Sequence, residues 1–274
     1  MQLRVDIDEI LDTKAPKISK KIPRFVKNYL KRIAHQDDIN EVFRRFGHLK
    51  GVDFAEELLR YLEITVKYEG LENLPKEGVY TFASNHPLGG LDGVAIASLL
   101  GRHYPHIKIM VNDLLMYVEP LNDVFMPINI AGKQGKESVE TVNKYYASTD
   151  TQIVMFPSGQ VSRKQKGGAI EDGEWKKNFI AKTVAFQRDV VPMYFDGFNS
   201  KFFYNLAQIR KFAKIKINIE MLYLADELFG ARGKTFTIKI GKPIAWQTFD
   251  NTKSPAEWAN VLRDKVYLLN QSKD

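Results

Sequence analysis

Residues 17 to 33, KISKKIPRFVKNYLKRI, place Ile18, Ile22, Phe25, Val26, Tyr29, Leu30 and Ile33 at the three-and-four spacing of one helical face, which predicts an amphipathic helix. The helical pattern continues from Asp38 to Leu62 through INEVFRRFG and VDFAEELLRYLEI, with Gly47 and Gly51 as breaks. Residues 1–65 therefore read as a helical N-terminal subdomain. After Leu74-Pro75 the texture changes to short β-rich runs, VYTFAS, HIKIMVN, TQIVMFPS, DVVPMYFDG, KIKINIEML and FTIKIGKPI, several of them separated by helical segments. Strands alternating with helices predict an α/β domain over 66–274, with a mixed, largely parallel sheet flanked by helices. The last helix is expected in SPAEWANVLRDKVYLLN, with Ser254 as cap, Pro255 in the first turn and Glu257 three residues after the cap.

Composition narrows the chemistry. With 44% hydrophobic residues in 274 the chain can bury a sizeable core, and lysine plus arginine outnumber acids by 40 to 33, a net charge of +7 that favours anionic partners. The absence of cysteine excludes disulfides, zinc–thiolate sites and thiol nucleophiles, and permits a reducing cytoplasmic compartment. The first residues carry acids where a signal peptide is basic and then apolar, and no run approaches the roughly 18 apolar residues of a membrane span. A chain of this kind that meets a membrane lies on it. Lys17, Lys20, Lys21, Arg24, Lys27, Lys31 and Arg32 face no acid within 17–33. That pattern suits a helix at an anionic lipid interface, and equally an amphipathic helix docked on the core.

The stretch SNHPLGGLDG, residues 84–93, follows a predicted buried strand and precedes the apolar GVAIASLL, so it reads as a strand–turn–helix corner. On one helix His86 and Asp92 would point about 120° apart, and on one strand they would stand ~20 Å apart. Only a turn brings them together, and Gly89-Gly90 supplies the permissive backbone. If they meet, the carboxylate fixes the imidazole tautomer and stabilises the imidazolium formed when His86 takes a proton from a hydroxyl. The alternative is Asp92 as the N-cap of the next helix and His86 as a hydrogen-bonded turn residue.

A second corner, TQIVMFPSGQVSRK, runs from a buried strand through Pro-Ser-Gly into Ser162, Arg163, Lys164 and Lys166. Small residues let a phosphate approach the backbone while arginine and lysine supply charge, which suits an anionic head group or an acyl-carrier phosphate. A solvated basic loop is the competing reading.

Taken together, Asn85 before the His86-to-Asp92 motif, Phe156-Pro157-Ser158-Gly159 at a strand end and the later Val191-Pro192 resemble the glycerolipid acyltransferases, the PlsC-like lysophosphatidic acid acyltransferases. The likeness runs from about residue 70 to 245 and looks closest to the hemolysin-like branch related to ornithine-lipid and glycine-lipid O-acyltransferases. It implies His86 as general base with Asp92 as its partner. It also implies that Asn85, Gly89, Gly90, Lys133, Lys136, Ser158, Gly159, Ser162, Arg163 and Lys164 contact substrate, with Lys133 and Lys136 near the family's second, basic block. The implied reaction moves an acyl chain from acyl carrier protein or coenzyme A to the hydroxyl of a lyso-lipid, with no metal and no tightly bound cofactor. The implied setting is an anionic membrane surface, peripherally on the inner face of the cytoplasmic membrane, with the N-terminal helices facing the lipid. Two departures are visible: five residues separate His86 from Asp92 where the family usually has four, and Ser158 stands where the family usually has glutamate.

The residues fit such chemistry on their own terms. An acyl thioester is already activated, so transfer needs a base for the alcohol, positive charge for anionic groups and donors for the oxyanion, and no acyl-enzyme. A chain without cysteine or a GxSxG elbow suits direct attack. A catalytically altered lipid-binding protein of the same fold and a hydrolase using His86 and Asp92 on water are the rivals. Nucleic-acid binding has only charge in its favour, with no zinc spacing, RNP-like strand or KH loop. His103 and His106 read as a surface turn, and His35 and His48 carry no constellation. NSKFFYNLAQIRKFAKIK, 199–216, mixes aromatics and cations at helical spacing, suited to lipid contact, an acyl tunnel or core packing.

Overall fold

The computed structural model describes residues 3–14, 16–128, 136–215 and 218–271. The chain opens with α1 (Ile7–Lys14), α2 (Pro16–Ser19), α3 (Arg24–Ile33), α4 (Gln36–Phe46) and α5 (Gly51–Tyr61). The single helix expected over 17–33 is thus two pieces. Pro23, at φ −60° and ψ 149°, caps α3; it has no N–H to give a preceding turn and pushes the residue before it out of helical geometry. Nor is the basic face free of acids, because Asp8 on α1 lies 3.6 Å from Lys27 Nζ and 2.5 Å from Lys31 Nζ.

The rest alternates strands and helices: β1 (Thr65–Glu69), β2 (Tyr80–Ser84), α6 (Gly90–Gly101), β3 (His106–Asn112), β4 (Phe125–Ile128), α7 (Lys136–Tyr146), β5 (Thr151–Met155), β6 (Arg163–Lys164), β7 (Ile170–Glu171), α8 (Asn178–Ala185), β8 (Asp189–Asp196), α9 (Lys201–Phe212), α10 (Leu224–Phe229), β9 (Thr235–Ile240) and α11 (Pro255–Leu268). One seven-stranded sheet has the order β1-β9-β8-β2-β5-β3-β4, and every pairing is parallel except β8 with β9. The mixed, largely parallel sheet read from the sequence is therefore present. Of the strand expected at 214–222, residues 216–217 lie outside the described residues, and Ile219–Tyr223 is a 3-10 turn whose Glu220 is buried.

Side-chain alternation on the central strands builds a core on each face of the sheet. Phe82, Val191, Met193 and Phe195 pack with α5 and α6 on one face, whereas Ala83, Val190 and Tyr194 pack with α8 and α11 on the other. The helix α6 is apolar all round and buried from Leu91 to Leu100, as befits an element covered by the sheet below and α5 above. The N-terminal helices share this core, since Val42, Phe43, Phe54 and Leu58 belong to the same cluster as Phe82 and Phe195. Helix α11 begins as expected, with Ser254 Oγ accepting from Glu257 N (3.3 Å) and the Glu257 carboxylate accepting from Ser254 N (2.7 Å).

At the edge where β2 and β5 begin, the wholly buried Arg188 has no acidic partner among the described residues. Its guanidinium donates to the carbonyls of Tyr146, Thr151, Tyr80, Tyr145 and Ser148 at 2.6–3.4 Å, closing the C-terminal end of α7 onto two strands. A planar fork of five N–H groups suits this set, and a cation there also faces the negative end of the helix. Burial depresses the Arg188 guanidinium pKa, so the cation is held at a desolvation cost. Arg188→Met, which keeps the stem but strands these carbonyls, should lower unfolding free energy by at least about 3 kcal/mol, measured by urea denaturation.

Candidate active site

Strands β2 and β5 are parallel neighbours, with Ala83 opposite Met155, so the loops that follow them emerge side by side. The helices that come next, α6 and α8, lie on opposite faces of the sheet, the arrangement in which open α/β sheets bind ligands outside the strand C-termini. His86 leaves β2 here, and its ring stacks on Phe156 from the β5 loop at 4.2 Å between centroids.

The turn brings His86 and Asp92 together despite the five intervening residues. His86 Nδ1 lies 2.8 Å from Asp92 Oδ2, and the imidazole is 18% exposed while the carboxylate is fully buried. Asp92 is the third residue of α6 and not its cap. The cap is Gly89, and the carboxylate accepts from Gly89 N (3.1 Å) and Leu88 N (3.0 Å) as well as facing the imidazole. Gly89 sits at φ +85°, and a Cβ there would come within 3.1 Å of Leu224, so both the backbone and its neighbour require glycine. Burial pushes the Asp92 carboxyl above its usual range, opposed by the hydrogen bond and charge of His86 and by the two backbone donors. With Nδ1 committed to Asp92, Nε2 is left as the acceptor of a ring that is 18% exposed.

The other expected site residues separate into groups. Asn85 is buried and pairs with the backbone of Phe195 on β8, donating to its carbonyl (2.9 Å) and accepting from its N–H (2.7 Å), so it straps β2 to β8 and does not face substrate. Nothing lies within 4 Å of a Cβ at Gly90, which leaves its backbone open to a ligand. Ser158 Oγ donates to Gln160 O (2.7 Å) and Gly159, at φ +64°, closes the Phe156–Gly159 turn, so both shape the loop. Ser162 donates through Oγ to Asp172 (2.6 Å) and through N to the carbonyl of His86 (2.7 Å). Val191-Pro192 lies within β8, opposite Phe82-Ala83.

Arg163 corrects the expectation of an anion-binding arginine. It is buried, 3.2 Å from Glu220 through Nη2, with Nη1 on the carbonyls of Val161 and Ser162 and its guanidinium over the Phe203 ring. Arg210 Nε stands 2.9 Å from the second oxygen of Glu220, out of line for a hydrogen bond but within ion-pair range. The charge is thus neutralised inside the protein. Lys164 is exposed, and its ammonium forms no ion pair among the described residues. Lys133 lies outside the described residues, and so does the side chain of Lys136.

Three features escaped the sequence reading. Asp172, buried, accepts from His86 N, Ser162 Oγ and Trp175 Nε1. Glu220, buried, holds the two arginines. His35 lies between Asp38 (2.6 Å) and Asp226 (3.0 Å) and stacks on Phe229, joining the α3–α4 junction to α10. All three depend on partners far away in the chain, and local pattern carries no signal for them. Among the described residues no group of three or more histidines and acids is arranged to hold a metal.

Two curated relatives are each called lyso-glycine lipid O-acyltransferase. The protein from Bacteroides thetaiotaomicron is 54% identical over 97% of both chains, and that from Phocaeicola vulgatus is 53% identical over 97% of this chain and 95% of its own. Among solved structures, the 1-acyl-sn-glycerophosphate acyltransferase PlsC from Thermotoga maritima aligns with 18% identity and a TM-score of 0.45, covering 91% of this chain and 90% of its own. The acyltransferase family model matches residues 9–274, and with relatives of this identity along nearly its whole length the chain belongs to the acyltransferase family.

Proposed function

We propose that this protein transfers a fatty acyl chain from acyl carrier protein or coenzyme A to the hydroxyl of a lyso-glycine lipid, at the inner face of the cytoplasmic membrane. The observation that carries the reaction is the contact between His86 Nδ1 and the buried Asp92, which leaves Nε2 as the acceptor of a partly exposed ring. The names of the two relatives support glycine over ornithine or phosphate as the head group. Nε2 takes the hydroxyl proton as the lipid oxygen attacks the thioester carbonyl. The tetrahedral intermediate expels the thiolate, and the imidazolium returns the proton to sulfur. Asp92 holds the tautomer and stabilises the imidazolium. Lys164, exposed at the start of the cationic loop, is the cation for the head-group carboxylate, in place of the occupied Arg163.

The membrane side is the face bearing α3, α9 and the 219–223 turn. Tyr223 bridges these helices, touching Tyr29 at the hydroxyl and Phe202 ring to ring at 4.9 Å. Around it Phe25, Phe202, Ile209, Phe212 and Leu222 are exposed, Phe212 to 92%, and Lys201, Lys211, Lys214 and Arg24 stand among them. Helix α9 therefore divides between both earlier readings, with Phe203, Tyr204 and Ala207 packed inward and Phe202, Ile209 and Phe212 outward. Apolar side chains ringed by cations suit insertion into an anionic lipid surface. Among the described residues no helix is long and apolar enough to cross a membrane.

With labelled acyl carrier and coenzyme A donors, wild type should form the diacyl product from lyso-glycine lipid in preference to lyso-ornithine lipid and lysophosphatidic acid. His86→Ala should lose about 10³-fold or more in kcat. Label released as free fatty acid would instead indicate a hydrolase, and no turnover with any acceptor a lipid-binding protein.

Asp92→Asn should cost about 10³–10⁴-fold in kcat, because the amide no longer enforces the tautomer. Its stability should move the other way. A carboxyl raised in the folded state contributes stability that is present below the ordinary carboxylate range and lost as pH rises through the raised value. The variant lacks that loss, so its unfolding free energy relative to wild type should rise as pH climbs above the ordinary carboxylate range, read from denaturation midpoints across a pH series.

Phe25→Ser with Phe212→Ser should weaken binding to anionic vesicles by at least about tenfold, given about 2 kcal/mol for each buried aromatic. Co-sedimentation checks this, and raised salt should weaken binding of the wild type too.

A further inference from the structure

Outside the His86–Asp92 pair two buried acids remain, Glu220, which is paired with Arg163 and Arg210, and Asp172. Asp172 follows β7, is 1% exposed, and has no cation on its carboxylate among the described residues, since Arg263 reaches only its carbonyl. Its oxygens instead gather three donors. Oδ1 accepts from His86 N (3.1 Å) and Ser162 Oγ (2.6 Å), and Oδ2 accepts from Trp175 Nε1 (2.9 Å). Ser162 N in turn donates to His86 O (2.7 Å), so the main chain of His86 is held at its N–H by Asp172 and at its carbonyl by the residue that Asp172 orients.

The anchor is itself anchored. Asp172 N donates to the Tyr267 hydroxyl (2.7 Å), and its carbonyl accepts from Arg263 Nη2 (2.9 Å), both on α11. A carboxylate accepts only, so it compels the Ser162 hydroxyl and the His86 amide to point at it. An asparagine amide would turn a donor toward one of the three. Burying the charge is costly and is offset only by these hydrogen bonds, which makes the site a poor choice for stability alone.

We infer that Asp172 is the positioning residue for His86, fixing the backbone from which the imidazole reaches substrate, while Asp92 and Phe156 fix the ring. This rests on the reading of His86 as the base. Proton transfer concerted with attack tolerates little displacement, and a shift of about 1 Å costs about 10²-fold.

The test uses the full chain and compares Asp172→Asn, Ser162→Ala and Trp175→Phe. Asp172→Asn should lose about 30- to 100-fold in kcat with KM for donor and acceptor within about twofold of wild type. Ser162→Ala should lose about tenfold in the same way. Trp175→Phe removes a bond to the same carboxylate that does not lead to His86 and also disturbs the core, so it should lower the melting temperature yet keep kcat within about twofold.

The inference is overturned if Asp172→Asn keeps the wild-type kcat, or if Trp175→Phe loses kcat as heavily, which would make the acid structural. Amide hydrogen exchange at His86 reads the same anchor without activity. It should be slow in wild type and Trp175→Phe and faster by about tenfold or more in Asp172→Asn; unchanged exchange also overturns it. Should Asp172→Asn not fold, Ser162→Ala carries both measurements. An inactive wild type with exchange as expected would reject the acyl-transfer reading and leave the anchor standing.

Discussion

A carboxylate with no solvent contact has to be satisfied by what the chain folds around it, and the turn from Pro87 to Leu91 is shaped by that demand at Asp92. Two backbone N–H groups and one imidazole nitrogen converge on its two oxygens. Gly89 must then adopt a positive φ to aim its N–H back at the carboxylate, and Leu224 fills the space where a side chain would stand. Because the same oxygen that caps the helix also meets Nδ1, helix initiation and tautomer selection are a single event. Asp92 is not the N-cap of α6, yet its carboxylate accepts from the cap residue's N–H while meeting the imidazole.

The segment leaving β2 is fastened at each residue. Asn85 takes both backbone groups of Phe195, His86 is held through Asp172 and Ser162, and the Pro87 carbonyl accepts from Asn199 at 3.1 Å. These partners come from β8, the loop after β5, the segment after β7 and the loop after β8. Buried polar groups that are all satisfied rigidify their surroundings, and the cost of breaking one is the desolvation of what is left behind. The His86–Asp92 pair therefore sits on a base more rigid than the five-residue loop between β2 and α6 would offer unaided.

Legibility followed the range of the interactions. Strands β2, β3, β5 and β8 were readable because apolar runs buried on both faces are a local signal, and α11 because its capping box lies within four residues. Strand β1 was missed because at the sheet edge its residues TVKYE alternate between exposed and half-buried, with charges outward, and β4 because it spans only four residues. The sequence over 214–222 alternates like a strand, but its part Ile219–Tyr223 is a turn with Glu220 buried against Arg163 and Arg210, and an acidic partner 57 residues away is invisible to periodicity. The same acid explains why Arg163 looked available. Asp172, 86 residues from His86, reads in the sequence as an ordinary loop acid. Pro23 was visible throughout, and its backbone constraint outweighed an otherwise continuous helical face.

One short segment ties the surface to the chemistry. Within Ile219–Leu224, Glu220 turns inward to the arginine of the cationic loop, Leu222 and Tyr223 join the exposed apolar face between α3 and α9, and Leu224 packs over Gly89 in the His86–Asp92 turn. A strand at this place would have put alternate residues on two faces of a sheet and reached none of these three environments together. The tight turn directs successive side chains to the core, the outer face and the active-site turn within six residues. In the proposed function the lipid-docking face and the base need a fixed register, which this segment would supply by packing, with the buried charge of Glu220 holding it in place.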